Sequence, residues 1–216
     1  MKAKSFIEIW KEFHKEELKD LIGTFSYDNK VGKTEAILGK KKDVNSKLGY
    51  FIENYFAKHH VEQTRLKYFK EDFTRDLTVV QKGKKYKVKT KSYHNEPIKS
   101  TIKNYYYSYE LILEHENDIL LCQQEMIKLT YFKAPLKVLV TYCWDNEKDD
   151  ENKIYRDRAK CNFQTIIEKS NQYFPENNST EYLLIIGQKN QTDFNWYYYI
   201  FKFNWTEKIV EEGTII

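Results

Sequence analysis

The chain has 216 residues, 41% of them hydrophobic, with only seven Gly and three Pro, which excludes a disordered protein and predicts one globular domain over residues 1–216. The formal net charge is +4, and Cys122, Cys143 and Cys161 form no C-x-x-C pair, which excludes a disulfide framework and a structural zinc site. No apolar run has transmembrane length and the N-terminus lacks the apolar region of a signal peptide, so we expect a cytoplasmic protein without membrane contact.

The first quarter of the chain is predicted to be helical. Apolar residues at helical spacing from Phe6 to Ile22 predict one or two N-terminal helices, and the residues from Ser26 to Lys33 predict a loop. The same spacing from Val44 to Phe56 predicts a helix that precedes the first strand. The sequence Gly32-Lys33-Thr34 lacks the preceding glycine of a phosphate-binding loop, so an NTPase is not predicted.

An acidic strand follows this helix. From Glu71 to Val80 the β-branched and aromatic residues predominate, and alternation places Asp72, Thr74 and Asp76 on one face of a single predicted strand. Asp76 is the residue that we expect to bind a metal ion. A turn residue at the end of a strand is the alternative interpretation of Asp76.

A lysine-rich segment separates this strand from the next acidic one. Between Gln81 and Asn104 the sequence contains many lysines but only one acidic residue, Glu96. The segment is therefore expected to place positive potential beside the carboxylates. Each phosphate that a lysine neutralises releases counterions, which predicts salt-sensitive binding of nucleic acid without sequence preference. The predicted nucleic-acid-binding residues are Lys82, Lys84, Lys85, Lys87, Lys89 and Lys91. A solvated strand that lysines protect from edge pairing is the alternative.

The most informative segment has the sequence Glu-Leu-Ile-Leu-Glu-His-Glu-Asn from Glu110 to Asn117. On a strand, Glu114 and Glu116 share one face, while His115 points with the leucines to the other and is predicted to be a core histidine. Two like charges beside apolar positions are favourable when they hold a hard cation, and the cation predicted here is Mg²⁺. A solvated outer face of the strand is the alternative.

The rest of the chain predicts alternating helices and strands. A helix from Ile119 to Phe132, whose Gln123, Gln124 and Glu125 are expected to be solvated, leads to a buried strand from Leu136 to Tyr142. Apolar spacing then predicts a helix that ends at Pro175. Two further strands are predicted, from Glu181 to Gly187 and from Trp196 to Trp205.

This order of elements resembles the core of the PD-(D/E)xK nuclease superfamily. The strand with Asp76 is followed by the E-x-E strand, a helix and a buried strand, and the resemblance covers about residues 44–144. Glu116 stands where the commonest form of the motif has Lys, and no Pro precedes Asp76. The match is therefore to the E-x-E variant seen in BamHI-type restriction endonucleases.

The resemblance implies an α/β protein with a restriction-endonuclease-like mixed central sheet between helices, extended by N-terminal helices and by a C-terminal helix with two strands. It implies a DNA endonuclease of the restriction or phage-defence kind that depends on Mg²⁺ or Mn²⁺. In that reaction Asp76 and Glu114 would bind the metal. Glu116 would orient or deprotonate a water molecule, and Lys128 would supply the positive charge of the missing Lys.

Three questions stay open at the level of sequence. The E-x-E variant takes a further carboxylate from an upstream helix, and either Glu53 or Glu62 could serve. The substrate could be DNA or RNA, cut by a monomer or by a homodimer. The alternatives to an enzyme are a non-catalytic nucleic-acid-binding protein on a degenerate nuclease fold and a regulatory protein with surface carboxylates.

Overall fold

A seven-stranded mixed β-sheet with helices on both faces forms the core of the protein. The computed structural model describes residues 1–21, 30–39, 46–58, 66–72, 75–82, 86–91, 97–102, 106–143, 149–173, 175–176, 179–189, 194–203 and 208–215. The helices of these ranges are α1 (Ala3–Phe13), α2 (Lys30–Leu38), α3 (Lys47–Lys58), α4 (Gln123–Thr130) and α5 (Asp149–Tyr173), and a π-helical turn, His14–Leu18, continues α1. The strands are β1 (Leu66–Asp72), β2 (Arg75–Lys82), β3 (Tyr86–Lys91), β4 (Pro97–Ile102), β5 (Tyr106–His115), β6 (Leu136–Cys143), β7 (Glu181–Lys189), β8 (Phe194–Phe203) and β9 (Lys208–Thr214).

The sheet has the strand order β1-β2-β5-β6-β7-β8-β9. Its three central strands β5, β6 and β7 are parallel, and every other neighbouring pair is antiparallel. Parallel neighbours require crossover connections, which α4 and α5 provide. Strands β6 and β7 are buried almost throughout, as expected where helices cover both faces of parallel strands. Strands β3 and β4 form a separate antiparallel hairpin.

Helices α1, α2 and α3 cover one face of the sheet. Trp10 of α1 packs edge-on against Trp196 of β8, with ring centroids 5.0 Å apart. The π-helical turn adds a polar contact, because Trp196 Nε1 donates a hydrogen bond of 2.9 Å to Nδ1 of the buried His14. Leu48 and Ile52 of α3 belong to the same apolar cluster. The N-terminal helices are thus part of the core.

Helices α4 and α5 cover the other face. Met126 of α4 and Phe163 of α5 are fully buried in a second apolar cluster, which includes Ile112 of β5 and Leu139 of β6. Phe163 also meets the ring of Tyr182 on β7 edge-on, with a centroid distance of 5.7 Å. Glu114, two residues after Ile112 on β5, therefore points toward α4.

The structure confirms the predicted mixed α/β class with a mixed sheet between helices. Two local predictions are wrong. The chain from Ser26 to Lys33 was predicted as a loop, but α2 begins at Lys30. The segment from Glu71 to Val80 is two strands, because β1 ends at Asp72, which lies opposite Arg75 of β2. This segment contains neither Gly nor Pro, the residues that most often mark a reversal.

Strand β9 pairs with β8 at the edge of the sheet and was not predicted. Among the helices that the structure describes, none is long and apolar enough to cross a membrane.

The contact between His14 and Trp196 predicts a specific acid sensitivity. Burial, assisted by the charge of Lys19, lowers the pKa of His14 from its ordinary value of 6.5. Below that pH the unfolded chain binds more protons than the folded one, so the free energy of unfolding decreases as the pH falls. His14→Asn keeps a hydrogen-bond acceptor without titrating. Between about pH 7 and about pH 5, the wild type should lose up to about 2 kcal/mol more stability than the variant in urea titrations. Equal losses would contradict this account.

Candidate active site

Two carboxylates lie opposite each other on neighbouring strands, on the face of the sheet that α4 covers. In the antiparallel pairing of β2 with β5, Thr78 lies opposite Ile112 and Leu77 opposite Leu113. The next position in this register places Asp76 opposite Glu114. The chain holds Asp76 there, because its Oδ2 accepts a hydrogen bond of 2.7 Å from the backbone N–H of His115.

Lys128 of α4 contacts Glu114 of this pair directly. Its Nζ lies 2.9 Å from Oε2 of Glu114, a side chain with no solvent exposure. The same ammonium lies 2.6 Å from Oε2 of Glu125, one helical turn earlier on α4. The lysine side chain is 26% exposed, so it reaches the carboxylates from the solvent side. The other oxygen of Glu114, Oε1, is buried without a hydrogen-bond partner among the described residues.

The site carries more negative charge than Lys128 neutralises. Burial raises the pKa of Glu114 to about 8; the hydrogen bond from Lys128 opposes this increase, and the charge of Asp76 adds to it. Burial alone would lower the pKa of Lys128, but the hydrogen bonds to Glu125 and Glu114 raise it overall, so the lysine remains charged. Such an environment favours the binding of a further cation.

Glu116 lies just beyond the end of β5 and is half-buried. Its Oε1 accepts a hydrogen bond of 3.1 Å from the backbone N–H of Asp118. Burial raises the pKa of Glu116, and the charge of Glu125 contributes to the increase, as it also does for Glu114. The two glutamates of the E-x-E segment therefore both lie within electrostatic reach of the same residue on α4.

His115 points to the opposite face of the sheet, as its place in the alternation predicts. Its Nε2 lies 3.0 Å from the hydroxyl of Tyr142, and both side chains are buried. Burial, assisted by the charge of Lys33, lowers the pKa of His115 to about 3, so the ring is neutral at physiological pH. His115 is a core histidine that fixes the end of β5 against β6.

Helix α2 supports the chain that follows the E-x-E strand. Asn117 donates a hydrogen bond of 3.2 Å to the hydroxyl of Thr34. Lys33 is fully buried, with its Nζ 5.3 Å from the ring centroid of Tyr142. The Gly32-Lys33-Thr34 sequence thus belongs to a helix that packs against the strand ends.

The described residues bring two carboxylates of the predicted metal site together, but no third. No group of three or more His, Cys, Asp and Glu side chains within the described ranges lies close enough to hold a metal ion. Glu53 of α3 acts electrostatically on Tyr68 of β1, and α3 packs on the face opposite to Glu114. The other upstream candidate, Glu62, lies outside the described residues.

The lysine-rich segment leaves the sheet far from the carboxylates. Strand β2 ends at Lys82, which lies opposite Tyr106 at the start of β5. Glu114 lies eight residues further along β5, or about 26 Å at the rise of a strand. The segment was expected to lie beside the carboxylates, but the two strand ends to which it is attached lie far from them. Of the predicted nucleic-acid-binding residues, Lys87, Lys89 and Lys91 lie on β3, and Lys84 and Lys85 fall outside the described residues.

Glu125 is a site residue that the sequence analysis assigned wrongly. It was expected on the solvated face of its helix, yet it pairs with Lys128 and its charge acts on both glutamates of the E-x-E segment. Its spacing of three residues from Lys128 was the available signal, because residues three apart on a helix are neighbours.

No protein-family model, no curated protein and no solved structure matches the chain. Its chemistry is therefore inferred from the geometry and the charges of the site.

The pairing of Lys128 with Glu114 predicts an energetic coupling between them. At about pH 9, above the pKa of Glu114, Lys128→Met removes the charged partner of a buried carboxylate, so we expect the free energy of unfolding to fall by about 2 kcal/mol. Adding Glu114→Gln should recover at least half of this loss, because the amide needs no counter-charge. Urea denaturation of the two single variants and the double variant measures the coupling. Lys133→Met, at an exposed lysine just after α4, is the control and should cost no more than about 0.5 kcal/mol. A double variant as unstable as Lys128→Met would contradict the coupling.

Proposed function

We propose that the protein is a Mg²⁺-dependent endonuclease that hydrolyses phosphodiester bonds in DNA. One observation carries the proposal: the ammonium of Lys128 lies 2.9 Å from the buried carboxylate of Glu114, whose position on β5 faces Asp76 on β2. Two carboxylates with an adjacent lysine are groups that metal-assisted phosphodiester hydrolysis can use. The sequence of elements supports the proposal, because Asp76, the E-x-E strand, α4 and β6 follow one another as in the nuclease core that the sequence resembles.

The carboxylate pair suits Mg²⁺ better than an ion that requires a complete protein cage. Magnesium is usually held by one or two carboxylates, and water and substrate phosphates complete its coordination. Asp76 and Glu114 supply that number, and the buried Oε1 of Glu114 has no hydrogen-bond partner in the described part of the chain. Mn²⁺ would suit the same oxygen ligands. The bound ion would supply the positive charge that polarises the scissile phosphate.

The neighbouring side chains have separate roles in the proposed reaction. Glu116, at the end of β5, would orient the attacking water and accept its proton. Lys128 would stabilise the negative charge that develops on the phosphate, and its contacts with Glu114 and Glu125 fix its position before substrate binds. The lysine-rich hairpin would add salt-sensitive contacts to the nucleic acid away from the reacting phosphate.

A specific observation also favours the second candidate function. Lys128 occupies one oxygen of Glu114, and the described residues contain no cluster of three metal-ligating side chains. These facts also suit a nucleic-acid-binding protein that keeps the carboxylates but does not hydrolyse its ligand. A cleavage assay distinguishes the two candidates, because only the enzyme hydrolyses the nucleic acid that it binds.

Cleavage of supercoiled plasmid and of single-stranded DNA and RNA, with Mg²⁺ or Mn²⁺, tests the proposal. We expect wild-type cleavage that EDTA abolishes, and no cleavage by Asp76→Asn or Glu114→Gln, which lose a ligand charge. Lys128→Ala should bind DNA normally but cut it about 10²-fold more slowly under single-turnover conditions, because it lacks a preorganised charge at the transition state.

The matched control for these variants is Glu110→Gln. Glu110 lies on the same strand as Glu114, but the register of β5 against β2 shifts next to it, and its carboxylate pairs with the amino group of Met1 at 2.9 Å. This variant should cut at the wild-type rate. Cleavage by Glu114→Gln at the wild-type rate would remove the proposed site, and binding of nucleic acid without any cleavage by the wild type would favour the second candidate.

A further inference from the structure

Arg156 of α5 lies near the carboxyl ends of the parallel strands β5, β6 and β7. It is half-buried and donates a hydrogen bond through Nη1 to Oε1 of Gln188, on β7. Its guanidinium carbon lies 4.0 Å above the ring centroid of Tyr197, and its charge also acts on the hydroxyl of Tyr199. Stacking and hydrogen bonding thus hold the guanidinium in one orientation.

All of these partners are neutral. Gln188 is 1% exposed, so its amide is a fixed part of the structure. Within the described part of the chain, no carboxylate lies within ion-pair distance of Arg156. A partly buried charge without a counter-charge is costly, and a guanidinium has five N–H donors, more than these neighbours use.

Two nearby cations, by contrast, are paired. Lys160, one turn further along α5, forms an ion pair with Glu212 of β9. Lys202 of β8 pairs with Glu211 at 3.2 Å. Acidic residues are thus present on the adjacent strand and are bound by other cations. The guanidinium of Arg156 therefore has N–H donors left for an anionic ligand.

The position of Arg156 relates it to the carboxylates. Gln188 and Glu114 both belong to the face that α4 and α5 cover. In the register of the parallel strands, Glu114 lies opposite Leu139 of β6, and Gln188 lies opposite Cys143, four residues closer to the strand ends. Two strand spacings and four residues of rise separate the two positions by roughly 16 Å. At a rise of about 3.4 Å per nucleotide, this corresponds to about five nucleotides.

We propose that Arg156 binds a backbone phosphate of the nucleic acid, several nucleotides from the phosphate that reacts at the carboxylates. The planar fork of a guanidinium matches two oxygens of a phosphodiester, and stacking on Tyr197 preorganises it for that contact. The inference rests on the proposed function, because it assumes that nucleic acid is the ligand of this edge of the sheet. The lysine-rich segment is attached to the sheet far from the carboxylates. Arg156 would therefore supply positive charge on the side of the sheet where the carboxylates lie.

Binding of a fluorescent DNA duplex in EDTA, followed by anisotropy over a range of salt concentrations, tests this assignment. Arg156→Gln should weaken binding at least tenfold and reduce the slope of log K against log salt by about one. Arg158→Gln is the matched control, because it removes the same charge from an exposed position on the same helix. It should change binding no more than about twofold. Equal binding by the two variants would overturn the proposal.

A second variant guards against a loss of folding in Arg156→Gln. Gln188→Glu retains the arginine but gives it an internal carboxylate that competes with phosphate. It should weaken DNA binding about as much as Arg156→Gln, with an unchanged or higher melting temperature. Normal DNA binding by a folded Gln188→Glu protein would overturn the proposal. So would calorimetry in which Arg156→Gln loses binding of inorganic phosphate while it binds DNA like Arg158→Gln, since the arginine would then serve a free anion.

The assay separates this inference from the proposed enzyme activity, because binding in EDTA needs no hydrolysis. A wild-type protein that binds DNA through Arg156 but never cuts it would support the phosphate contact and contradict the endonuclease. A protein that cuts DNA but binds it equally well after Arg156→Gln and Arg158→Gln would keep the endonuclease and overturn the phosphate contact. Absence of any binding to DNA would overturn the phosphate contact whatever the outcome for cleavage.

Discussion

The carboxylate of Glu114 has no solvent exposure, and much of the surrounding structure compensates for the cost of burying it. Its partner Lys128 comes from α4, the crossover between the parallel strands β5 and β6, so the connectivity of the sheet delivers the counter-charge. Asp76 lies on the other neighbour of β5, the strand β2, which pairs with it in antiparallel orientation. The site forms because β5 pairs antiparallel with β2, which carries Asp76, and parallel with β6, which α4 precedes. A change in either register would move an acidic side chain away or leave it without its lysine.

The two ends of the sheet differ in the kind of positive charge that they carry. At the end where β5, β6 and β7 finish, the cations are single, positioned side chains, Lys128 held by two carboxylates and Arg156 stacked on Tyr197. At the other end of β5 begins the lysine-rich hairpin, attached through Lys82. In the proposed nuclease the first group acts on particular phosphates. The second group contributes a general attraction that added salt weakens.

Local sequence patterns were sufficient to predict the acidic strand β5 and the elements from α4 to β8. Alternation along β5 placed Glu114 and His115 on opposite faces, and a mostly apolar run identified β6, a strand that is buried along its length. The side chains that complete the site depend on pairing between distant parts of the chain. Sequence spacing cannot give the contact of Lys128 with Glu114, and Arg156 is recognisable only once α5 is placed over β7 and β8. The position of the lysine-rich segment beside the carboxylates was predicted from the sequence and does not agree with the strand pairing. Once β2 and β5 are antiparallel neighbours, their connection must leave from the end of β2, whereas Asp76 stands near its beginning.

The central claim is that Asp76 and Glu114 together bind a divalent cation beside Lys128. The most direct measurement is the anomalous scattering of a crystal grown with Mn²⁺, which scatters more strongly than Mg²⁺ and suits the same oxygen ligands. The account predicts one strong anomalous peak in contact with both carboxylates, with Lys128 still next to Glu114, and no such peak in a crystal of Asp76→Asn. A well-diffracting crystal in which Mn²⁺ avoids these carboxylates, while Lys128 remains bound to Glu114, would contradict it.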